Sequence, residues 1–309
     1  MKHEVKITAI LLGMFIITQL IGLLVIDAYT PKTDINPTAN NATIPYGMQP
    51  PEAPAEISLG SIAVSLAIAI FIFFLLMKIK ARSLIKIWFT TVVFLTVSIA
   101  LTALMTKMFP QSAIKLEVIA LILAVPLTFY KIFKRNFIVH NATELLIYPG
   151  LAAMFVPILN VWTTLVLLLA ISVYDMWAVW KSKLMVNLAK YQIQQIKVFT
   201  GFLVPYMPKK EALKLKAAQR IKTQKSKTKA LKKIKISLAL LGGGDVAFPL
   251  IFTGVIYRAA GLIPALMIIA GSTIALMLLF MYSKKGKFYP AMPFITAGCI
   301  IAWLLTLIL

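Results

Sequence analysis

The apolar residues of this chain fall in repeated blocks of about 20, the length at which an α-helix crosses the hydrocarbon core of a bilayer. That pattern leaves few folds open. No water reaches the core to satisfy backbone N–H and C=O groups, so an apolar block of this length must bond within itself as helix. Composition agrees, since 60% of the 309 residues are hydrophobic and the mean hydropathy is +0.89. The predicted fold class is therefore an all-α polytopic membrane protein. The first block follows Lys2 and Lys6 as a signal peptide would, but its apolar core is too long and VIDAYTPKT is a poor cleavage site, so it is read as a helix.

Nine transmembrane helices are predicted, at 7–28, 59–77, 85–108, 114–130, 137–157, 161–180, 236–256, 262–282 and 288–309. Charge tests this map independently, because cytoplasmic segments are enriched in Lys and Arg. With the N-terminus inside and the C-terminus outside, 28 of the 32 basic residues fall inside, and only Lys32, Lys107, Lys115 and Arg258 fall outside. The formal charge of +22 thus reads as topology and not as a nucleic-acid surface. The same alternation requires the fifth span, although it contains Asn141, Glu144, Pro149 and Gly150.

The spans group into four parts: an N-terminal five-helix scaffold at 1–157, one helix at 158–180, a basic cytoplasmic loop at 181–235 and a C-terminal three-helix part at 236–309. The outer segment 30–57 is rich in Pro, Asn and Thr, reads as irregular, and contains the sequon Asn41-Ala42-Thr43. In the basic loop, Met185, Leu188, Ala189, Ile193, Ile196, Phe199 and Leu203 recur at helical spacing, which predicts an amphipathic helix on the inner leaflet. Its second half is a basic tether suited to anionic headgroups. Cys299 is the one cysteine, which excludes an intrachain disulfide, and His3 and His140 lack ligand-spaced partners, so neither metal nor cofactor is expected.

Chemistry at membrane depth rests on Glu144, Asp175 and Asp245. A carboxylate there costs roughly 2.5 kcal/mol or more on insertion scales, and the basic residues within the predicted spans, Lys86, Lys107 and Lys115, stand at span ends, which leaves none inside to pair with it. Asp175 lies six residues before Lys181 and Asp245 ten after Lys235. A helical rise places them roughly 9 and 15 Å from one face. They can therefore meet, with distortion at Gly242, Gly243 and Gly244 absorbing the difference. Small residues alone would also suit helix packing, but packing does not call for the aspartate. Two carboxylates held together away from bulk water cannot both ionise cheaply, so the pair shares a proton. One then acts as general base on water and the other as acid on a carbonyl, which is amide hydrolysis. Pro290 and Pro293 donate no backbone hydrogen bonds, which is expected to leave neighbouring amides and carbonyls free at the depth of the pair.

The combination Tyr174-Asp175, Gly242-Gly243-Gly244-Asp245 and Pro290-Ala291-Met292-Pro293 resembles the presenilin and signal peptide peptidase family of intramembrane aspartyl proteases over essentially the whole chain. The resemblance implies that Asp175 and Asp245 are the catalytic pair, and that Tyr174, Gly242, Gly244, Pro290, Ala291 and Met292 border the substrate. The family usually has Leu where this chain has Met292, a swap that keeps volume and apolarity. Signal peptide peptidases carry the loop between the aspartates outside, whereas charge places it inside here, as in presenilins. The chain looks like a microbial, archaeal presenilin homologue of the cell membrane.

The implied partners are transmembrane helical substrates, unwound locally and received by β-augmentation near Pro290 to Pro293, and a bilayer with anionic headgroups. A homo-oligomer is compatible with the sequence. The apolar piece Val198 to Met207 is a candidate for self-cleavage or a plug. The alternative class is an ion or proton translocator using Asp175 and Asp245 as a relay, with Glu144, His140 and Asn141 on its path. A prepilin-type peptidase shares Gly-x-Gly-Asp but gives no reason for the Pro-Ala-Met-Pro segment.

Overall fold

The computed structural model describes residues 5–30, 81–110, 115–134, 136–182, 200–206, 237–283 and 289–308, with isolated helical positions at 64, 68, 71, 72 and 75. The sequon, most of the second span, most of the proposed amphipathic helix, the basic tether and His3 lie outside the described residues. The helices are α1 (Val5–Tyr29), α2 (Arg82–Met108), α3 (Leu116–Phe133), α4 (Phe137–Phe155), α5 (Val161–Trp177), α6 (Gly243–Ala260), α7 (Leu262–Tyr282) and α8 (Met292–Ile308). A π-helical turn, Ala178–Ser182, extends α5. Five described helical segments are long and apolar enough to cross a membrane: Lys6–Tyr29, Ser83–Met108, Leu116–Phe133, Val161–Lys181 and Leu262–Tyr282. Met292–Ile308 is apolar but shorter.

One departure from the all-helical expectation lies beside the second aspartate. Residues 236–242 were expected to open the seventh span; instead β2 (Ser237–Gly242) pairs antiparallel with β1 (Gly201–Tyr206), in the register Gly201↔Gly242, Leu203↔Leu240 and Tyr206↔Ser237. Leu203 therefore belongs to a strand and not to the amphipathic helix. A short apolar run such as SLALLG has no period that separates strand from buried helix, and the glycines that follow let the chain change conformation at Gly242–Gly243.

Helix direction follows from polar contacts at one end of the bundle. Asp27, in the last turn of α1, pairs with Lys107 in the last turn of α2 and accepts a hydrogen bond from Tyr257 near the end of α6. Arg258 donates to the Val156 carbonyl beyond α4, at 3.1 Å. Helices α1, α2, α4 and α6 thus end at the same face. The core between them holds Leu11, Phe15, Val97, Leu250, Phe252, Ile268, Leu276 and Ile295, all buried. Since lipid is as apolar as these side chains, close packing and not the hydrophobic effect must hold the helices together. Glycines permit that closeness: a Cβ on Gly150 would lie 2.0 Å from the Thr96 carbonyl oxygen, and one on Gly298 would lie 2.5 Å from the Gly271 carbonyl oxygen.

Candidate active site

Asp175 sits in the last turn of α5, buried at 6% exposure. Its Oδ2 accepts the Met292 N–H at 3.1 Å, and the Ala291 N–H also donates to the carboxylate. These donors exist because α8 starts here and the first N–H groups of a helix have no partner within it. Pro290 and Pro293 supply none themselves. The amides expected to stay free near Pro290 to Pro293 are therefore committed in part to Asp175, and Ala291 and Met292 hold the carboxylate directly. One turn earlier, Ser172 Oγ lies 2.8 Å from Thr296 Oγ1, tying α5 to α8 beside that contact.

Asp245 occupies the first turn of α6, with its carboxylate folded back toward Gly242, the residue capping that helix. A Cβ on Gly242 would lie 3.0 Å from Asp245 Oδ2, so glycine leaves room for the carboxylate to fold back on the cap. Asp175 therefore meets the N-terminal N–H groups of one helix and Asp245 stands in the first turn of another, where the backbone dipoles favour negative charge. They are close enough that the charge of Asp175 acts on Asp245.

Two contacts and one missing hydrogen bond shape the first turn of α6. Pro249, four residues after Asp245, lacks the N–H that would otherwise bond the Asp245 carbonyl. Gln19 of α1, fully buried, donates from Nε2 to the Val246 carbonyl at 3.1 Å. The Tyr148 hydroxyl of α4 lies 2.9 Å from where a Cβ on Gly243 would stand. None of Gln19, Tyr148, Ser172 or Pro249 carries a motif; each matters through what the fold sets opposite it. Of the sequence-derived candidates, Gly242 and Gly244 precede Asp245 in the chain and Pro290, Ala291 and Met292 open α8 against Asp175, with Pro290 and Met292 buried and Gly244 exposed. Tyr174 is 45% exposed beside Trp177.

Glu144 corrects the expectation that no basic residue inside a span pairs with it. α3 continues to Phe133, past the predicted end, and carries Lys131 inward, where its Nζ pairs with Glu144 Oε1. The two side chains are 1% and 0% exposed. His140 Nδ1 lies 3.5 Å from the same Nζ. Glu144 is thus a partnered buried charge, held by the basic residue that the predicted spans did not supply.

Residues 12–309 match the family described as signal-peptide peptidase, presenilin aspartyl protease. The chain belongs to that family. The protein is an intramembrane aspartyl protease, multi-pass in the membrane. Two structures of a presenilin family intramembrane aspartate protease, in two crystal forms, share the fold: one has TM-score 0.61 and 19% identity, covering 96% of this chain and 97% of its own. The other has TM-score 0.60 and 18% identity, covering 96% of each chain. No curated protein sequence matches.

Proposed function

We propose that Asp175 and Asp245 are the catalytic pair of this protease, and that they hydrolyse peptide bonds within the transmembrane segments of membrane-protein substrates. The observation that carries this reading is the shared arrangement: each carboxylate lies at a helix start, Asp175 accepting the Met292 N–H that opens α8 and Asp245 standing in the first turn of α6, near enough for the charge of one to act on the other. These helix starts place both carboxylates before substrate arrives, as preorganised catalysis requires. One then takes a proton from water as it attacks the scissile carbonyl, while the other, protonated, donates to the carbonyl oxygen; the amine leaves with a proton returned from the pair. A helical substrate shields its own carbonyls, so it must unwind before this can happen. With Ala291 and Met292 committed to Asp175, the strand it forms docks along β2, which leads directly into Asp245.

The topology belongs to this proposal: nine spans, N-terminus inside and C-terminus outside, in the cell membrane. The parallel course of α1 and α2 supports a returning span at 59–77, most of which lies outside the described residues. Within the four-part division at 157/158, 180/181 and 235/236, the N-terminal scaffold also reaches the site through Gln19 and Tyr148. The basic loop 181–235 contacts anionic headgroups. Both aspartates lie in one chain, so a homo-oligomer adds nothing the chemistry lacks.

The test is cleavage of a single-span helical substrate in detergent by the wild type, Asp175→Asn and Asp245→Asn, with the products weighed by mass spectrometry. Cleavage within the apolar segment by the wild type, and by neither variant, is expected. A variant that folds and still cuts would overturn the dyad.

A further inference from the structure

Three polar or amphipathic side chains of α4, His140, Asn141 and Tyr148, share one target, the strand β1, and a fourth, Glu144, stands beside His140. Polar groups at this depth are costly, so a common target calls for a physical account. His140 Nε2 donates to the Gly201 carbonyl at 2.9 Å. Asn141 grips Leu203 from both sides, its Oδ1 accepting the Leu203 N–H at 3.0 Å and its Nδ2 donating to the Leu203 carbonyl at 2.8 Å. The Tyr148 ring meets Phe202 edge to face at 5.8 Å between centroids, and its hydroxyl reaches Gly243. Glu144, pinned by Lys131, sits 3.6 Å from His140 and holds that ring among charges.

These contacts read strand register. In an antiparallel pair, the backbone N–H and C=O groups of alternate residues point to opposite edges. Gly201 and Leu203 share one parity, and their outward groups are the ones that His140 and Asn141 engage, while β2 covers the other edge. A slip of one residue would turn these groups away from α4 and flip every side chain of β1. Asn141 also occupies the outer edge of β1 at Leu203, which bars an added strand from pairing there and leaves β2 as the docking edge.

We propose that the polar face of α4 is a register lock on the β1–β2 hairpin, with Asn141 its main positioning residue. Because β2 continues through Gly242 into Asp245, the lock sets which bond of a docked substrate strand lies against the aspartates. This rests on the protease reading above and adds a determinant of the cleavage position to it.

The experiment compares the wild type, Asn141→Ala and Asn141→Asp on one single-span substrate, reading product masses and hydrogen–deuterium exchange over 200–206. Asn141→Ala is expected to spread or shift the scissile bond, to lower kcat/KM about tenfold, the effect of losing hydrogen bonds to a buried backbone, and to speed exchange over 200–206. Asn141→Asp keeps the acceptor for the Leu203 N–H and is expected to recover part of the wild-type pattern. General destabilisation would reduce all products alike without moving the cut. Unchanged products and unchanged exchange in Asn141→Ala overturn the lock while leaving the protease intact. A wild type that cuts nothing counts against the protease reading alone; the exchange arm then still decides whether Asn141 holds β1, and faster exchange sustains it. Should Asn141→Ala fail to fold, Asn141→Asp alone is compared with the wild type on the same readouts.

Discussion

Lys131 shows how far a single residue can be misplaced by a correct rule. Basic residues at the end of an apolar run usually lie in the aqueous loop, and Lys131 follows the predicted end of its run by one position. A further turn of helix carries it against Glu144 instead, and both charges leave water together. The sequence offered a signal, since Glu144 otherwise had no partner at membrane depth, but pairing depends on a helix crossing that spacing along one chain does not encode. The aspartates were legible because their chemistry is independent of such crossings: each stands in a distinctive run, and only their meeting had to be supplied. The Lys131–Glu144 pair makes a direct prediction. Lys131→Met leaves an uncompensated buried carboxylate and is expected to destabilise the protein by about 3–5 kcal/mol. The double variant Lys131→Met with Glu144→Leu is expected to regain most of that loss. Unfolding in detergent, followed for the wild type, both single variants and the double, checks the cycle; additive effects would mean the two charges do not depend on each other.

Among elements, the helices were legible and the hairpin was not. Long apolar runs leave the membrane only one backbone solution, whereas β1 and β2 are six residues each and depend on partners separated by residues 207–236. The same limit applies to helix pairing, which is set here by where two small residues come opposite each other. At the α7–α8 crossing, a Cβ on Gly298 would stand 2.5 Å from the Gly271 carbonyl oxygen and 2.6 Å from the Ala275 Cβ. A backbone oxygen cannot swing aside, so relief requires the helices to separate. Gly298→Ala is therefore expected to cost about 1–3 kcal/mol, the range for overpacking a close contact. It should also reduce cleavage beyond what the fall in folded protein explains, because α8 supplies the Ala291 and Met292 N–H groups that hold Asp175. Melting temperature and activity per folded molecule, measured together, separate the two effects. A variant of wild-type melting temperature would show that the crossing is looser than these distances require.

At the scale of the whole molecule, the fold resolves a conflict that composition raises. A chain of formal charge +22 and mean hydropathy +0.89 must keep its cations out of lipid while threading it repeatedly, and the alternation of basic segments does so if the N-terminus is inside. The contacts among Asp27, Lys107 and Tyr257 add a constraint that charge counting lacks: they bring the ends of α1, α2 and α6 to one face, which must then be the outer one. Both carboxylates lie toward the opposite face, so with the N-terminus inside, as proposed, substrate would be cut at the cytoplasmic side of its span. Membrane sidedness tests this without reference to catalysis. Cys299 is fully buried in α8, so it contributes little background to labelling by a charged thiol reagent that does not cross membranes. In intact cells, a cysteine placed at Met108, 70% exposed at the end of α2, is expected to react from outside. A cysteine placed at Lys6, exposed at the start of α1, is expected to react only after the membrane is opened. Reaction of both from outside would break the link between the parallel helices and a returning span at 59–77; the reverse pattern would keep that span but turn the protein over, and put the basic loop and the aspartates next to the outer face.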